Sequence, residues 1–353
     1  MSDEAIIAAK KPCLIKVKEG KTYLWCACGR SGKQPFCDFS HEGTGIEPIR
    51  WKADASGDRL FCACKRTSEA PFCDGTHNML SDTYAEADEN DGADAVLVDY
   101  AFCDDGTERA FLDNGCFVVR AKESVRDLGT LQLVPIIGRE SGAEHLSQFL
   151  VTANKGESPI VEFPNTDVVL FVDSGSGSVR IGPRQFAVSP ETGVCVKPGE
   201  AFQIINNNDK SMVLTMSACP LGTEMVTHDE MPAHFDDAYP ERVQGVDLEE
   251  QEAMGDRFFQ VLIDSEKHGT PVTQFIGEIP KSRAPHHHHL YEETIMVLSG
   301  EGFMWTDNTK TAVKPGDTIF LPLKQAHSLE CTTEDGMRLI GLFYPSMSPA
   351  INY

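Results

Sequence analysis

Residues 26–41 read CACGRSGKQPFCDFSH, and residues 62–77 repeat the pattern as CACKRTSEAPFCDGTH. Each copy holds three cysteines and one histidine, and each of these residues in the second copy lies 36 positions after its counterpart. A fixed period of this length indicates duplication of a small unit. Thiolates and imidazoles bind metals and iron-sulfur clusters, so the repeat predicts two cofactor sites. The candidate ligands are Cys26, Cys28, Cys37 and His41 in the first copy, and Cys62, Cys64, Cys73 and His77 in the second.

The repeated segment, about residues 20 to 80, resembles the CDGSH iron-sulfur family. Both copies share the pattern Cys-x-Cys-x2-(Ser or Thr)-x3-Pro-x-Cys-Asp-x-(Ser or Thr)-His. The resemblance implies two [2Fe-2S] clusters, each held by three thiolates and one imidazole. An imidazole on one iron raises the potential of such a cluster, which takes one electron. Three cysteines and one histidine also suit tetrahedral zinc, so structural zinc remains an alternative, and a disulfide framework is a weaker one.

One position of the first copy departs from the family pattern. Phe39 stands where the family carries glycine, whereas the second copy keeps Gly75. Glycine at this place permits a positive φ or a close backbone approach. We therefore expect an altered turn or a more labile cluster in the first copy.

The composition of the 353-residue chain limits its class and its partners. This length predicts two or three domains, and apolar residues, at 41%, are enough to form their cores. The chain has 31 Lys and Arg against 54 Asp and Glu, a net charge of −23, which disfavours nucleic acid and anionic membranes as partners. The N-terminal MSDEAIIAAKKP lacks the apolar run of a signal peptide, so we expect a cytoplasmic protein.

From Leu131 almost to the C-terminus, apolar segments of strand length recur between turn signals. Examples are residues 131–137, 168–172, 294–298 and 339–343. No long stretch shows a helical period. The pattern favours a mainly β fold built as an antiparallel barrel or sandwich.

The second chemical signal is HHHHLYEE at residues 286–293, followed by Gly300, by PGDTIFLP at 315–322 and by His327. Side chains alternate along a strand, so His287, His289 and Glu293 would share one face. These residues resemble the two motifs of the cupin family. That resemblance implies one metal held by His287, His289, Glu293 and His327, with positions left for water, substrate or dioxygen.

Two alternatives remain for the histidine run. A bulge that shifts the register would replace His287 and His289 by His286 and His288, and the run could also be a solvated surface feature. Two positions depart from the second cupin motif: Lys324 replaces a glycine, and Cys331 stands where many members have asparagine.

An upstream segment resembles a second barrel that has lost its metal. Residues 168–177 align with 295–302, but no His-x-His precedes them and no histidine follows around Phe202. The predicted fold is therefore mainly β, with a small tandem CDGSH iron-sulfur domain followed by a bicupin, of which only the C-terminal barrel has metal ligands. The predicted boundaries are a tandem CDGSH domain at 1–80, an acidic linker and short β-rich connector at 81–130, a degenerate cupin barrel at 131–219, an inter-barrel connection at 220–254 and a metal-binding cupin barrel at 255–353.

The leading functional hypothesis is an iron-dependent cupin oxygenase or oxidase, a non-haem Fe(II) dioxygenase or monooxygenase acting on a small molecule and dioxygen. The two [2Fe-2S] clusters would relay electrons from a redox partner or regulate the enzyme. Tyr291 and Cys331 are candidate substrate contacts, although either could simply pack in the barrel. The alternatives are a redox- or iron-sensing binding protein and a non-redox metal-dependent isomerase or hydrolase. Cupins often pair through edge strands, so we expect a homodimer.

Overall fold

The computed structural model describes residues 4–80, 94–122, 126–221, 225–254 and 256–350. The chain forms two compact units, one of residues 1–85 with 253–256 and 348–353, the other of residues 86–252 and 257–347. Strands account for 47% and helices for 5%, which confirms the mainly β prediction. The acidic segment predicted as a linker at 81–92 lies outside the described residues.

The first unit contains two antiparallel strand pairs. Its strands are β1 Cys13–Val17, β2 Thr22–Trp25, β3 Ile49–Lys52 and β4 Gly57–Phe61, followed by a 3-10 turn at Thr76–Met79. Strand β1 pairs with β4, and β2 pairs with β3. Beyond these pairs, Trp25 bridges Phe36, and Phe61 bridges Phe72. Each bridge ties the end of a strand to the residue before the third cysteine of its own repeat, so the two repeats have the same local fold.

Aromatic side chains from both repeats form the core of this unit. Phe61 contacts Phe36 of the first repeat at 5.3 Å and Phe72 of its own repeat at 5.4 Å between ring centroids. Tyr23 and Trp51 pack on the same ring at 6.2 and 5.7 Å. Aromatic pairs of this kind each add about 0.5–1.5 kcal/mol beyond the area they bury. The shared core therefore holds the two repeats together.

The remaining strands follow in chain order, and the described α-helix, α1, spans Ser265–His268. The strands are β5 Val96–Leu97, β6 Ala101–Phe102, β7 Thr107–Phe111, β8 Phe117–Ala121, β9 Arg126–Leu128, β10 Leu131–Ile137, β11 Ser147–Ala153, β12 Gly156–Glu157, β13 Ile160–Glu162, β14 Asp167–Ser174, β15 Gly177–Ile181, β16 Arg184–Val188, β17 Thr192–Val196, β18 Ala201–Asn206, β19 Met212–Cys219, β20 Val226–His228, β21 Val243–Gly245, β22 Glu252–Met254, β23 Arg257–Ile263, β24 Thr273–Ile279, β25 Glu292–Ser299, β26 Gly302–Trp305, β27 Thr309–Val313, β28 Thr318–Leu321, β29 Ser328–Cys331 and β30 Met337–Tyr344. Short 3-10 turns lie at Asp113–Gly115, Arg139–Ser141 and Leu248–Glu250. None of the described helices is long and apolar enough to cross a membrane.

The second unit contains two barrels, each made of two packed sheets. In the first barrel, the sheet β21-β17-β14-β19-β11-β10-β9 faces the sheet β16-β15-β18-β13-β20, and β12 pairs with β18. Their inner faces share a core that includes Leu133, Val168, Val179 and Phe202. In the second barrel, one sheet includes β23-β24-β30-β25-β28-β8-β7-β6 in that order, and the other is β29-β26-β27-β5.

Strand pairing shows that the two barrels are copies of one plan. Val168 pairs with Val196 and Ala218 in the first barrel, while Glu293 pairs with Leu321 and Phe343 in the second. Each residue of the second set stands 125 positions after its counterpart. The same spacing relates Phe202 to His327. The sheet positions that place metal ligands in the second barrel can therefore be located in the first.

The segment between the repeats and the first barrel joins the second barrel. Strand β8 pairs with β28, and β5 runs parallel to β27. Phe117 of β8 lies 5.1 Å from Phe320 between ring centroids. Residues 96–121 thus complete the sheets of a barrel whose other strands begin far along the chain, at β23.

Candidate functional site

Three imidazoles converge inside the second barrel. The candidate donor nitrogens of His287, His289 and His327 all lie within 4.8 Å of one another. The ring centroids are 4.4 to 5.0 Å apart. Across the described ranges, no other three His, Cys, Asp or Glu side chains bring their donor atoms this close. The three rings can hold one metal ion.

Backbone carbonyls orient two of these rings. The Nδ1 atom of His287 lies 2.9 Å from the carbonyl oxygen of Pro285, and that of His327 lies 2.8 Å from the carbonyl of Gln325. A nitrogen that donates to a carbonyl carries the ring proton, which leaves Nε2 with a lone pair for a metal. The backbones of His287 and His327 also exchange two hydrogen bonds, of 3.0 and 2.9 Å. This bridge fixes the two ligands relative to each other.

Two consecutive carboxylates near the histidines have different surroundings. Glu292 accepts three hydrogen bonds of 2.7 to 3.1 Å from the backbone N–H groups of residues 144–146, so it fastens a loop of the first barrel. Glu293 is buried, and its Oε2 lies 3.6 Å from Nε2 of His289. This Oε2 has no hydrogen-bond partner among the described residues. A buried oxygen without a partner is costly, and a bound cation would satisfy it.

Burial shifts the pKa values of these groups toward their neutral forms. It raises the pKa of Glu293 to about 8. It lowers the pKa of His287 to about 4 and that of His327 well below its usual value. Near pH 7 the imidazoles are therefore neutral, the form that binds metals, while the carboxyl group must lose a proton to become a ligand.

The histidine pair does not lie in a regular strand, contrary to the alternation argument. Strand β25 begins only at Glu292. His287 and His289 lie on the irregular segment before it, and the bridge between His287 and His327 sets their orientation instead. The structure brings His287 and His289 together with His327, and His286 and His288 do not belong to this group of donors within the described chain.

Tyr291 and Cys331, the two candidate substrate contacts, are both 2% exposed. The Tyr291 ring stacks between His289 and Phe343, at 4.5 and 4.0 Å between centroids. It therefore supports the orientation of a histidine. The Cys331 thiol lies 3.5 Å from the carbonyl oxygen of Thr333, and burial raises its pKa.

Arg257 is a charged residue at this site that sequence reasoning missed. It opens β23 and is buried. Burial is the largest cause of the lowered pKa of His287, and the positive charge of Arg257 lowers it further. The same charge acts to lower the pKa of the Cys331 thiol, against the larger effect of burial. A single arginine at the start of a strand belongs to no motif, so only the fold reveals that its charge acts on His287.

The corresponding positions of the first barrel are apolar. Val168 stands at the sheet position equivalent to Glu293, and Phe202 lies 125 positions before His327, the same spacing. Both are buried in the barrel core, and Phe202 stacks on Phe163 at 6.4 Å between centroids. Hydrocarbon side chains thus stand where the second barrel has its candidate metal ligands.

In the N-terminal unit the cysteines and histidines form close pairs. In the first repeat, the sulfurs of Cys26 and Cys28 are 3.7 Å apart, and Sγ of Cys37 lies 3.2 Å from Nδ1 of His41. In the second repeat, the corresponding distances are 3.4 Å between Cys62 and Cys64 and 3.3 Å between Cys73 and His77.

Because the donor atoms lie in two separate pairs, their arrangement distinguishes between the two cofactors considered for each repeat, a zinc ion and an iron-sulfur cluster. The three cysteines and one histidine of each repeat are called its quartet. No three donor atoms (Sγ of cysteine or a ring nitrogen of histidine) of either quartet lie within 4.8 Å of one another in the described structure. Four ligands around one zinc ion at about 2.0–2.3 Å would all lie closer together than that. Separate pairs instead suit a cluster with two iron atoms, each taking two protein ligands.

The altered turn expected at Phe39 is wrong. Phe39 has φ of 72° and its counterpart Gly75 has φ of 87°, so both repeats use the same left-handed turn. Phe39 adopts this conformation although its Cβ makes it unfavourable. The substitution thus adds backbone strain without changing the path of the chain, and its 64% exposed ring has little packing to offset that strain.

Comparison with known proteins matches both sites. The family described as "Cupin domain" matches residues 277–343, which contain the three converging histidines. The family described as "Iron-binding zinc finger CDGSH type" matches residues 6–42, which contain the first quartet. The chain combines a CDGSH-type iron-sulfur domain with a cupin domain.

Sequence similarity to curated proteins is confined to a small part of the chain. The human CDGSH iron-sulfur domain-containing protein 3, mitochondrial, is 51% identical over 51 residues, which cover 14% of this chain and 40% of the relative. The chain therefore spans less than half the length of this relative. The CDGSH domain implies a [2Fe-2S] cluster in this unit.

Solved structures resemble the cupin part in fold alone. A glyoxylate-induced protein from Pseudomonas aeruginosa superimposes with a TM-score of 0.54 at 16% identity, covering 71% of this chain and 95% of that one. A variant of Bacillus subtilis oxalate decarboxylase gives a TM-score of 0.50 at 13% identity, with coverages of 73% and 80%. These likenesses extend over both barrels and confirm the bicupin architecture.

Proposed function

We propose that the C-terminal cupin barrel is an iron-dependent oxygenase or oxidase acting on a small molecule, and that two [2Fe-2S] clusters supply or regulate its electrons. The observation that carries the proposal is the convergence of His287, His289 and His327 beside the unsatisfied oxygen of Glu293. Three imidazoles and a carboxylate suit several divalent metals, so these ligands alone do not select iron. Iron is favoured because the same chain carries a domain built for one-electron iron-sulfur chemistry.

Each residue of the site has a defined part in this proposal. A bound iron would supply Lewis acidity and one-electron redox chemistry. His287 and His327 present Nε2 because their Nδ1 protons are held by backbone carbonyls. Tyr291 keeps the ring of His289 in place by stacking. The buried surroundings exclude bulk water and strengthen the electrostatic interactions inside the barrel.

Arg257 favours an anionic substrate, and we propose a small carboxylate. Its guanidinium is the buried positive charge that acts on His287. The charge of Arg257, which also donates a hydrogen bond of 3.4 Å to Oγ of Ser282, would attract a carboxylate to the metal site. The oxalate decarboxylase of similar fold acts on a substrate of this class.

The proposal of a second cluster depends on the similarity of the two quartets. The family match covers the first quartet, and the second reproduces its spacing and its paired distances. Both quartets would then hold one-electron carriers. Two such carriers would deliver electrons one at a time to the metal of the cupin barrel.

The metal content tests the proposal directly. We would analyse iron and acid-labile sulfide, with electron paramagnetic resonance, on full-length protein purified without oxygen. The proposal expects sulfide for two [2Fe-2S] clusters and iron in excess of that sulfide. The variant His327→Ala should lose the excess iron and keep the cluster spectrum, while His288→Ala should keep both. Zinc in the quartets, or a metal-free cupin barrel, would overturn it.

Oxygen uptake tests the role of the clusters. We would compare the wild type with the full-length variant Cys37→Ser/Cys73→Ser, using an external reductant and small carboxylates as substrates. Uptake driven by the reductant should disappear in the variant while its barrel keeps the mononuclear iron. Undiminished uptake in the variant would refute an electron relay, and no uptake with the metal-loaded wild type would refute the oxygenase.

A further inference from the structure

A cavity of about 680 Å³ that the proposed chemistry does not use is lined mostly by the first barrel, and Asp105 and Arg109 from the β6–β7 segment of the second barrel complete its lining. Pockets for small organic ligands usually measure about 300–1,000 Å³. Its inner wall comes from the barrel core, with Leu133, Phe149, Phe163 and Met216 among the lining residues. Hence the cavity has the size and the apolar wall of a ligand site, in a barrel whose metal positions are filled by hydrocarbon.

Three arginines line the same cavity, although the chain as a whole carries a net charge of −23. They are Arg109 from β7, Arg126 from β9 and Arg139 from the turn after β10. The lining contains two carboxylates, Asp105 and Glu140. Positively charged side chains therefore outnumber negatively charged ones in the lining, whereas acidic residues outnumber basic ones in the whole chain.

Ion pairs with carboxylates in the described part of the chain neutralise only one of these three arginines, so the other two can interact with an anion. Asp105 binds Arg109 at 2.7 Å, and the buried Nε of Arg109 has no hydrogen-bond partner among the described residues. Arg126 and Arg139 are exposed, and neither forms an ion pair with a described carboxylate. An apolar wall beneath guanidinium groups suits a molecule with a hydrocarbon body and an anionic end.

We propose that the first barrel is a non-catalytic binding site for a small amphipathic monocarboxylate. The hydrocarbon part lies against Phe149, Phe163 and Met216, and the carboxylate lies toward Arg126 and Arg139. The site is separate from the metal centre of the second barrel and does not depend on the function proposed for it. The barrel that has lost its metal positions thus keeps a ligand-binding role.

Calorimetric titration of the metal-loaded, full-length protein tests the site, with octanoate as the probe. Octanoate should bind, and uncharged octanol should bind at least tenfold more weakly because it offers the arginines no charge. Arg126→Gln and Arg139→Gln should each weaken octanoate binding about tenfold. Both arginines are exposed, so these variants should fold normally. The matched control is Arg184→Gln, which changes an exposed arginine of the same barrel that pairs with Asp237 outside the cavity.

Two further variants locate the ligand. Met216→Trp should abolish binding by filling the cavity, with near-ultraviolet circular dichroism to show that the variant is folded. His327→Ala should leave octanoate binding unchanged. Equal affinity for octanol, no effect of the two arginine substitutions, no binding of octanoate by the wild type, or loss of binding in His327→Ala would each overturn the proposal.

Discussion

The indole Nε1 of Trp25 donates a hydrogen bond of 2.8 Å to the carbonyl oxygen of Cys62. Trp25 precedes the first cysteine of the first repeat, and Cys62 is the first cysteine of the second, so this bond joins the two repeats. Lys65 reinforces the junction, since its buried Nζ donates to the same carbonyl at 2.8 Å and lies 4.5 Å from the centre of the Trp25 ring. Burial lowers the pKa of Lys65, whereas the thiols of Cys26 and Cys62 act to raise it, so this one ammonium group interacts with a cysteine of each repeat.

Replacing Lys65 by methionine should lower the reduction potentials of the clusters. Reduction adds a negative charge, which a nearby buried cation stabilises, and the thiols of Cys26 and Cys62 are among the groups that interact with Lys65. For a charge several ångström from a cluster, Coulomb's law at an effective dielectric constant near 20 gives a shift on the order of 100 mV. A redox titration followed by visible absorption measures it.

The matched control for this prediction is Lys52→Met, which removes an exposed lysine from β3 of the same unit. Its potentials should stay at the wild-type values because water screens an exposed charge. If Lys65→Met also left the potentials unchanged, the buried lysine would have no part in tuning the clusters.

Phe39→Gly should stabilise the first repeat. The substitution removes a Cβ from a residue held at φ of 72°, and a left-handed conformation costs an ordinary residue about 1–2 kcal/mol. Part of this gain is lost because glycine makes the unfolded chain more flexible. We expect a net gain of about 1 kcal/mol in unfolding free energy and slower loss of the cluster absorbance in denaturant.

The opposite substitution in the second repeat is the control. A Cβ on Gly75, where φ is 87°, would lie 2.8 Å from Cβ of Ala350, so Gly75→Ala should destabilise the protein. Equal stability of Phe39→Gly and the wild type would mean that the turn is not strained.

The repeat and the histidine motif were predictable because both depend on fixed spacings of ligand residues. The pairs formed by Cys26 with Cys28 and by Cys37 with His41 follow from local chain geometry. The strand argument selected His287 and His289, although the segment that carries them is irregular and a contact with His327 orients it. Sequence spacing thus predicted three histidines that the structure brings together, without giving the correct local structure.

Features that depend on distant parts of the chain were not predictable. The charge of Arg257 acts on His287, 30 residues away in the sequence, only because of the barrel fold, and no local pattern marks it. The same holds for β8, which is too short to reveal that it pairs with β28, about 200 residues later. The cavity of the first barrel likewise combines Arg109 and Arg139 from separate segments.

Metal binding at pH 7 should release about one proton per site. Burial raises the pKa of Glu293 to about 8 and lowers that of His287 to about 4, so the carboxyl is protonated and the imidazole neutral before the metal binds. Only the carboxyl must then lose a proton to become a ligand. Calorimetric titration of the metal-free protein with Fe(II), without oxygen and in buffers of different ionisation enthalpy, counts the protons released.

Glu293→Gln is the control, and it should bind the metal more weakly and release no proton.

The same pKa shift predicts how the stability of the metal-free protein depends on pH. Because the folded pKa lies above the usual value of 4.5, the contribution of Glu293 to the unfolding free energy should fall as pH rises from about 4.5 to 8, by a few kcal/mol in total. The lowered pKa of His287 makes an opposite contribution between about pH 4 and 6.5, so the difference between the wild type and Glu293→Gln measures the Glu293 contribution. Glu293→Gln should lose this dependence. A wild-type protein that releases no proton would show that Glu293 is already ionised.

Tyr291→Ala should weaken the metal site through His289. The Tyr291 ring stacks on His289 at an interplanar angle of 10° and on Phe343 at 15°, so it fills the space that fixes the imidazole. Removing a buried aromatic ring destabilises a protein by about 3–5 kcal/mol, and a ligand freed from its support loses about 10–100-fold in metal affinity. Tyr291→Phe keeps the ring and should retain wild-type affinity in a competition assay with a metal-binding dye. If Tyr291→Phe lost turnover at unchanged metal affinity, the hydroxyl would instead contact the substrate, and stacking would not be the main role of this residue.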